Sequence, residues 1–239
     1  YPLTATDNQY LITMQNCGAT IADQGKLVPV TEDIRNGNGR AIKSKLWASN
    51  RVDKLNEPVN SIVWLMKDHS LPPIIRVDDP VLASVMGACL ATKRTTAEKI
   101  LTSVDRDALV FEPYANPFRT YALQEDYYKF KRLFEEKNVA CYIINTGSFL
   151  ERKISKEVTI GLVEKIVDET ADFQPFGEYQ GLSTMDVEGF VPDFADKDYL
   201  DLLTNSIENR VRYLESQREI KGGRDLLPEE AFAALESLL

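Results

Sequence analysis

The strongest apolar run in the chain is Val59 to Met66, VNSIVWLM, whose β-branched and aromatic residues predict a strand. The segment SLPPIIRVDDP follows it as an extended stretch fixed by Pro72 and Pro73. A helix is expected from Asp79 to Ala91, with Pro80 in its first turn. Further on, ALVFEPYANPF reads as a strand running into a loop, Gln124 to Lys137 as a helix, and Val139 to Ile144 as a buried strand. The next helix begins in the Ser155 to Thr159 region, with an apolar stripe at Ile160, Val163 and Ile166. Leu200, Leu203, Ile207, Val211 and Leu214 recur at spacings of three and four, which predicts a long helix from about Lys197 to Arg218. A last helix starts near Pro228 and carries Phe232, Leu235 and Leu238. At the front of the chain, CGATIADQGKLVPV predicts a hairpin of Ala19 to Ile21 and Leu27 to Val30. DFQPFGEYQGLSTMDVEGFVPDF, by contrast, reads as irregular and rich in turns and aromatics.

Strands alternating with helices in this way give a mixed α/β (α+β) fold, a mixed sheet flanked by helices. Residues 1–239 are expected to form a single domain, with no repeat or linker in view. Ligands in α/β folds sit at the carboxyl ends of strands, so the turn and basic stretch from Asn145 to Thr159 is a candidate ligand loop on pattern alone.

Composition narrows the partners. A net charge of −9 argues against nucleic acid as the main partner but leaves room for a local basic pocket that takes a phosphorylated small molecule. No apolar run approaches the roughly 18 residues of a membrane span, and no signal-peptide pattern opens the chain. The first residue, Tyr1, is not a methionine, so the chain is expected to be a piece of a longer one. Cys17, Cys89 and Cys141 are widely spaced and read as small core residues of a reduced, cytoplasmic protein. No Cys/His cluster suits zinc.

Several motifs could carry chemistry. GATIADQGK resembles a phosphate loop only loosely. Six residues rather than four separate its glycines, and Leu27 stands where Ser or Thr is needed, so the hairpin reading prevails. His69, the only histidine, falls at the end of the strong strand and reads as a polar strand-end residue. Asp78 and Asp79 stand beside Pro80 and are expected to start a helix. Arg40 closes the glycine-rich loop RNGNGR, where it reads either as part of a solvated turn or as a fork for phosphate or carboxylate. Arg152 and Lys153 follow the strand and turn ending at Ser148, where they can meet phosphate or stack on a base.

At this point four segments, in order, resemble a known family. YIINTGSF…ERKISKEVT is similar to the Y-L-V-N-T-G-W…G-K-R-I-S-I-K-D-T stretch of ATP-dependent phosphoenolpyruvate carboxykinases. VWLMKDHSLPPIIRV is similar to that family's IFLTADAFGVLPPVSRL, and GNGRAIKSKLWASNRV to its ENTRVSYPIYHIDNIV. FGEYQGLSTMDVEGFVPDF stands where the family has FNLAIPTELPGV. The resemblance implies the carboxyl-terminal, nucleotide-binding half of an enzyme that moves the γ-phosphoryl of ATP onto oxaloacetate as carbon dioxide leaves. The implied partners are a nucleotide, an oxaloacetate-like acid, and an upstream, P-loop-bearing half of the same protein. Magnesium and manganese are expected only with that full-length parent. Arg40 matches a catalytic arginine that touches phosphate and acid. Asn145, Arg152, Lys153, Ile154 and Thr159 fall on the nucleotide segment, with Lys153 and Thr159 at the adenine nucleotide and Ile154 as an apolar wall.

The departures carry weight. The family's P-loop and metal ligands precede the matched region, so this chain alone is not expected to catalyse phosphoryl transfer. Lys153 replaces an arginine, and Ser148 and Phe149 stand where the family has tryptophan and glycines. The alternatives are a divergent small-molecule kinase, or a non-catalytic binding module that kept the lobe.

Overall fold

The computed structural model describes residues 56–93, 109–116 and 119–239, together with four short strands earlier in the chain. The chain forms two compact units: Tyr1–Pro58 with Arg94–Ala108, and Val59–Lys93 with Leu109–Leu239. In the first unit, β1 (Met14–Gln15), β2 (Ala19–Ile21), β3 (Leu27–Pro29) and β4 (Arg40–Ala41) make two small ladders. β2 pairs antiparallel with β3, Ala19 opposite Pro29, which is the hairpin the sequence predicts; β1 pairs antiparallel with β4. The glycine loop before Arg40, and Cys17, lie outside the described residues.

The second unit opens with β5 (Ser61–Met66), β6 (Ile74–Val77), α1 (Pro80–Ala88) and the antiparallel pair β7 (Ala91–Lys93) and β8 (Leu109–Phe111). α2 (Leu123–Lys137) and β9 (Ala140–Asn145) follow, then the two-residue strands β10 (Ser148–Phe149) and β11 (Arg152–Lys153). α3 (Lys156–Val167), β12 (Gln174–Pro175), β13 (Leu182–Thr184), α4 (Lys197–Ser216) and α5 (Glu229–Glu236) complete it. Five strands form one mixed sheet in the order β12-β13-β6-β9-β5. β5 and β9 run parallel, in register from Ser61 opposite Ala140 to Met66 opposite Asn145, while the other neighbours are antiparallel.

The strand period of two divides the side chains between the sheet's faces. Trp64, Met66, Ile75, Val77, Cys141 and Ile143 turn to one face and bury with Leu82, Val85, Tyr127, Leu203, Ile207, Leu214 and Phe232 from the helices. Trp64 anchors this core by donating its indole N–H to the Ala83 carbonyl at 3.0 Å. Gly87 makes the close approach possible, since a Cβ there would stand 2.7 Å from the Trp64 ring. Cys89 and Cys141 are buried free thiols, and burial pushes Cys89 up to about 12 and Cys141 further. On the other face Ile74 and Ile144 pack with Leu162 of α3 and Met185.

Two expectations are corrected here. Two of the three residues of the predicted α3 stripe face solvent, Ile160 at 55% and Val163 at 40% exposed, and only Ile166 packs against the sheet. The helix seats itself instead by the row Val158, Leu162, Ile166, spaced four apart. Ile154, buried just before the Ser155 cap, fixes the entry angle, and that rotation presents the Leu162 row to the sheet. The helix expected through Ala91 ends at Ala88, because the chain turns at Cys89 to give β7 its pairing with β8. Its start is as expected: Asp79 accepts from the Leu82 amide at 2.6 Å, and its neighbour Asp78 pairs with Arg76. The segment read as irregular supplies β12 and β13, strands too short to leave a periodic signal.

Candidate functional site

Because β5 and β9 are parallel, their carboxyl ends lie side by side and both following loops leave from one edge of the sheet. Thr146 ties these ends together, its amide and hydroxyl both donating to the Met66 carbonyl at 2.8 and 3.1 Å. Further out, the Leu150 amide donates to the His69 carbonyl at 2.7 Å. Between the loops opens a cleft of about 590 Å³, walled by Lys67, Asp68 and His69 from one loop and by Thr146, Gly147 and Lys153 from the other. Lys93 and Leu109, paired with each other at the ends of β7 and β8, close a further side.

The cleft is cationic within an acidic protein. Lys67, Lys93 and Lys153 line it together with His69, against the carboxylates of Asp68 and Glu151. Asp68 is only 1% exposed and its charge is already matched. Its Oδ2 accepts from Arg210 Nη2 and from Ser206 Oγ, each at 2.7 Å, and its Oδ1 from the Ser70 amide and hydroxyl at 3.0 and 2.7 Å. Burial raises the Asp68 pKa, but the Arg210 charge and the hydrogen bonds from Ser206, Ser70 and Arg210 outweigh it and leave the carboxyl at about 2. A cleft with several ammonium groups and backbone carried close by Gly147 is suited to an anion with phosphate or carboxylate oxygens.

Each residue singled out in the sequence has a definite place. Asn145 has no exposure. Its amide nitrogen donates to the carbonyls of Asp68, Leu71 and Ser148 at 2.6, 2.7 and 2.9 Å, and its Oδ1 accepts from the Gly147 amide at 3.0 Å. It stitches the two loops together from beneath the cleft. The hairpin of β10 and β11, with Ser148 opposite Lys153 and Phe149 opposite Arg152, separates the two basic residues. Lys153 lines the cleft. Arg152 lies 4.7 Å over the Phe190 ring and donates to the Gly189 carbonyl at 3.2 Å, away from the lining residues. Ile154 is 4% exposed and packs in the main core. Thr159, in the first turn of α3, donates its hydroxyl to the Ser155 carbonyl at 3.2 Å. Arg40 belongs to β4 of the first unit, and its side chain lies outside what the structure describes.

Sequence reasoning missed Lys67, Lys93, Asp68 and Arg210. Lys67 and Asp68 carried a usable signal, since they follow a strong strand at its carboxyl end. Lys93 and Arg210 carried none, because only the tertiary fold brings them near residues far away in sequence.

The fold and cleft define a mixed α/β protein with a cationic site at the ends of a parallel strand pair. Among curated proteins, the chain is similar to the phosphoenolpyruvate carboxykinase (ATP) of Aeropyrum pernix, with 28% identity over 141 residues. That match covers 59% of this chain and 27% of the relative, so the chain spans about a quarter of the length of the protein it resembles. No protein-family model matches the chain. The similarity supports a carboxykinase-like relationship and no finer assignment.

Proposed function

We propose that this chain is the ATP-binding part of a phosphoenolpyruvate carboxykinase-like enzyme, a carboxyl-terminal lobe spanning residues 1–239. In the full-length parent it serves phosphoryl transfer coupled to decarboxylation of an oxaloacetate-like acid. The observation that carries this reading is the convergence of Lys67, Lys93, Lys153 and His69 on one cleft at the carboxyl ends of β5 and β9. The relative's printed name, phosphoenolpyruvate carboxykinase (ATP), supports ATP as the anion.

In this reading Lys153 and Lys67 meet the nucleotide's charged oxygens, and the Gly147 backbone comes close to them. Asn145 contributes by holding the loops, and Ile154 by anchoring the hairpin from the core. Thr159 stands at the start of the helix that follows, and Arg152 braces the same hairpin on Gly189 and Phe190. For Arg40, in the first unit, the role of a cation on the phosphoryl group in the full-length parent rests on the resemblance alone. Divalent metal ions are implied for the parent, but no group of three or more His, Cys, Asp or Glu among the described residues is placed to hold one. The described residues do not by themselves fit a metal.

Calorimetric titration of ATP into the purified chain tests the local site. ATP should bind, and Lys153→Ala should weaken it about fivefold, as loss of one partly screened charge contact predicts. Equal affinity in both proteins removes Lys153 from the site. The parent activity is tested by oxaloacetate decarboxylation in a longer protein that carries the P-loop, where Arg40→Ala should abolish turnover while leaving ATP bound. Binding of ATP without decarboxylation would favour a divergent kinase.

A further inference from the structure

Asp68 and Arg210 form a buried ion pair directly behind the cleft. Arg210, on α4, is 2% exposed and absent from the cleft lining, yet its guanidinium is committed to a residue that does line it. Nη2 reaches Asp68 Oδ2, and Nη1 donates to the Ser206 carbonyl at 3.0 Å and also to its hydroxyl, which in turn bonds Asp68. Arg210 Nε is buried and has no hydrogen-bond partner among the described residues. Tyr199, about three turns before Arg210 on the same face of α4, donates to the Ser70 carbonyl at 3.2 Å. Thus α4 grips the turn from Asp68 to Ser70 at a side chain and at the backbone, while Asn145 grips it from β9.

Stability alone does not account for this arrangement. Buried ion pairs repay their desolvation poorly, and apolar replacements of similar volume are often as stable. What the pair does supply is a fixed direction for a short turn that presents Lys67 and His69 to the cleft. It also cancels the Asp68 charge, which would otherwise draw the neighbouring ammonium groups away from an incoming anion.

We propose that Arg210 is a positioning residue of the anion cleft: acting through Asp68 and Ser206, it holds the 67–70 turn in register with the 146–153 hairpin. The effect on nucleotide affinity rests on the reading of the cleft as an ATP site; the effect on the turn does not.

The test compares wild type, Arg210→Lys and the double variant Asp68→Asn with Arg210→Met. Arg210→Lys keeps the charge but cannot reach Asp68 and Ser206 together. The double variant removes both charges, so it folds without an unpaired buried carboxylate. Three readouts are taken: melting temperature, amide hydrogen exchange at Ser70, Gly147 and Leu150, and titration with ATP and with inorganic tripolyphosphate. The double variant should melt close to wild type while those three amides exchange about tenfold faster and the β9 amides keep their protection. Its affinity for both probes should fall about tenfold, the scale of a displaced supporting contact.

Wild-type exchange and wild-type affinity in the double variant would overturn the proposal. So would losses in Arg210→Lys spread evenly over the whole unit, which would mark a structural role only. If wild type binds neither probe but the three amides still loosen, the nucleotide reading falls and the positioning role stands. If wild type binds and the amides of the variants are unmoved, the positioning role falls and the nucleotide reading stands.

Discussion

Replacing Asn145 by alanine should separate the two loops that wall the cleft, and the cost follows from its contacts. The amide NH2 has two hydrogens and serves the carbonyls of Asp68, Leu71 and Ser148, so one hydrogen is shared between two of the three. The side-chain oxygen holds the Gly147 amide at 3.0 Å. Alanine therefore removes about three good hydrogen bonds and leaves their partners stranded in a site with no exposure. Each stranded group costs roughly 1 to 3 kcal/mol, and the nearby cleft lets water recover part of that, so the expected loss is about 3 to 5 kcal/mol. Urea unfolding followed by circular dichroism measures it, with an unchanged slope showing that the two-state reference holds. Amide exchange should then locate the loosening at Gly147 and Leu150 rather than in α4. A loss below about 1 kcal/mol would refute the reasoning, because no set of buried carbonyls can lose a shared donor so cheaply.

Other consequences can be measured in the same way. Asp68 has a folded pKa of about 2 against an ordinary 3.8, so its stabilisation is full above the unfolded value and is lost as pH falls from about 4 to 2. The stability gap between wild type and Asp68→Asn, about 2 kcal/mol from this shift at pH 6, should therefore close across that window in urea melts; a gap unchanged at pH 2 would contradict it. Gly87→Ala should cost about 1 to 3 kcal/mol, since its Cβ would stand 2.7 Å from the Trp64 ring and 2.8 Å from that of Tyr114, and thermal melts with tryptophan fluorescence would show both loss and repacking. ATP affinity should fall as salt rises from 50 to 500 mM, because the cleft's lysines act through screened charge; salt-independent binding would point to an uncharged ligand.

Much of this fold could be read from the sequence, and the gaps have identifiable causes. β9 announces itself because a strand buried in a sheet is a continuous apolar run. β5 does so through its β-branched and aromatic residues, although it lies at the edge of the described sheet and leaves Val63 and Leu65 exposed. α4 does so because Leu203, Ile207 and Leu214 keep one face over the whole helix. α3 misled because it carries two apolar rows, and only its seat on Ile74 and Ile144 decides which row is buried. At the site, the turn after β9 was legible as a position, and so was the separation of strand from helix by a polar stretch. The opposite directions of Arg152 and Lys153 were not, since they depend on a hairpin of two-residue strands. Arg210 was hidden altogether: within an amphipathic helix an arginine reads as solvent-facing, and only Asp68, 142 positions away in sequence, draws it inside.

The position of the cleft follows from topology. Antiparallel neighbours send successive loops to opposite edges of a sheet, whereas a parallel pair delivers two carboxyl ends to the same edge. Among the described strands of this sheet only β5 and β9 are so paired, and the loops that leave them carry Lys67, His69 and Lys153. Gathering cations there works against folding in the empty state, because like charges a few ångströms apart repel by about 1 kcal/mol even in water. The loops must therefore be held by contacts that do not depend on a ligand. Asn145 supplies these as neutral hydrogen bonds, and Asp68 does so without giving up the site's positive charge, because Arg210 has already cancelled its own. An acidic residue at that position without its buried arginine would have steadied the lysines by neutralising them, and the cleft would then have had little to offer an anion.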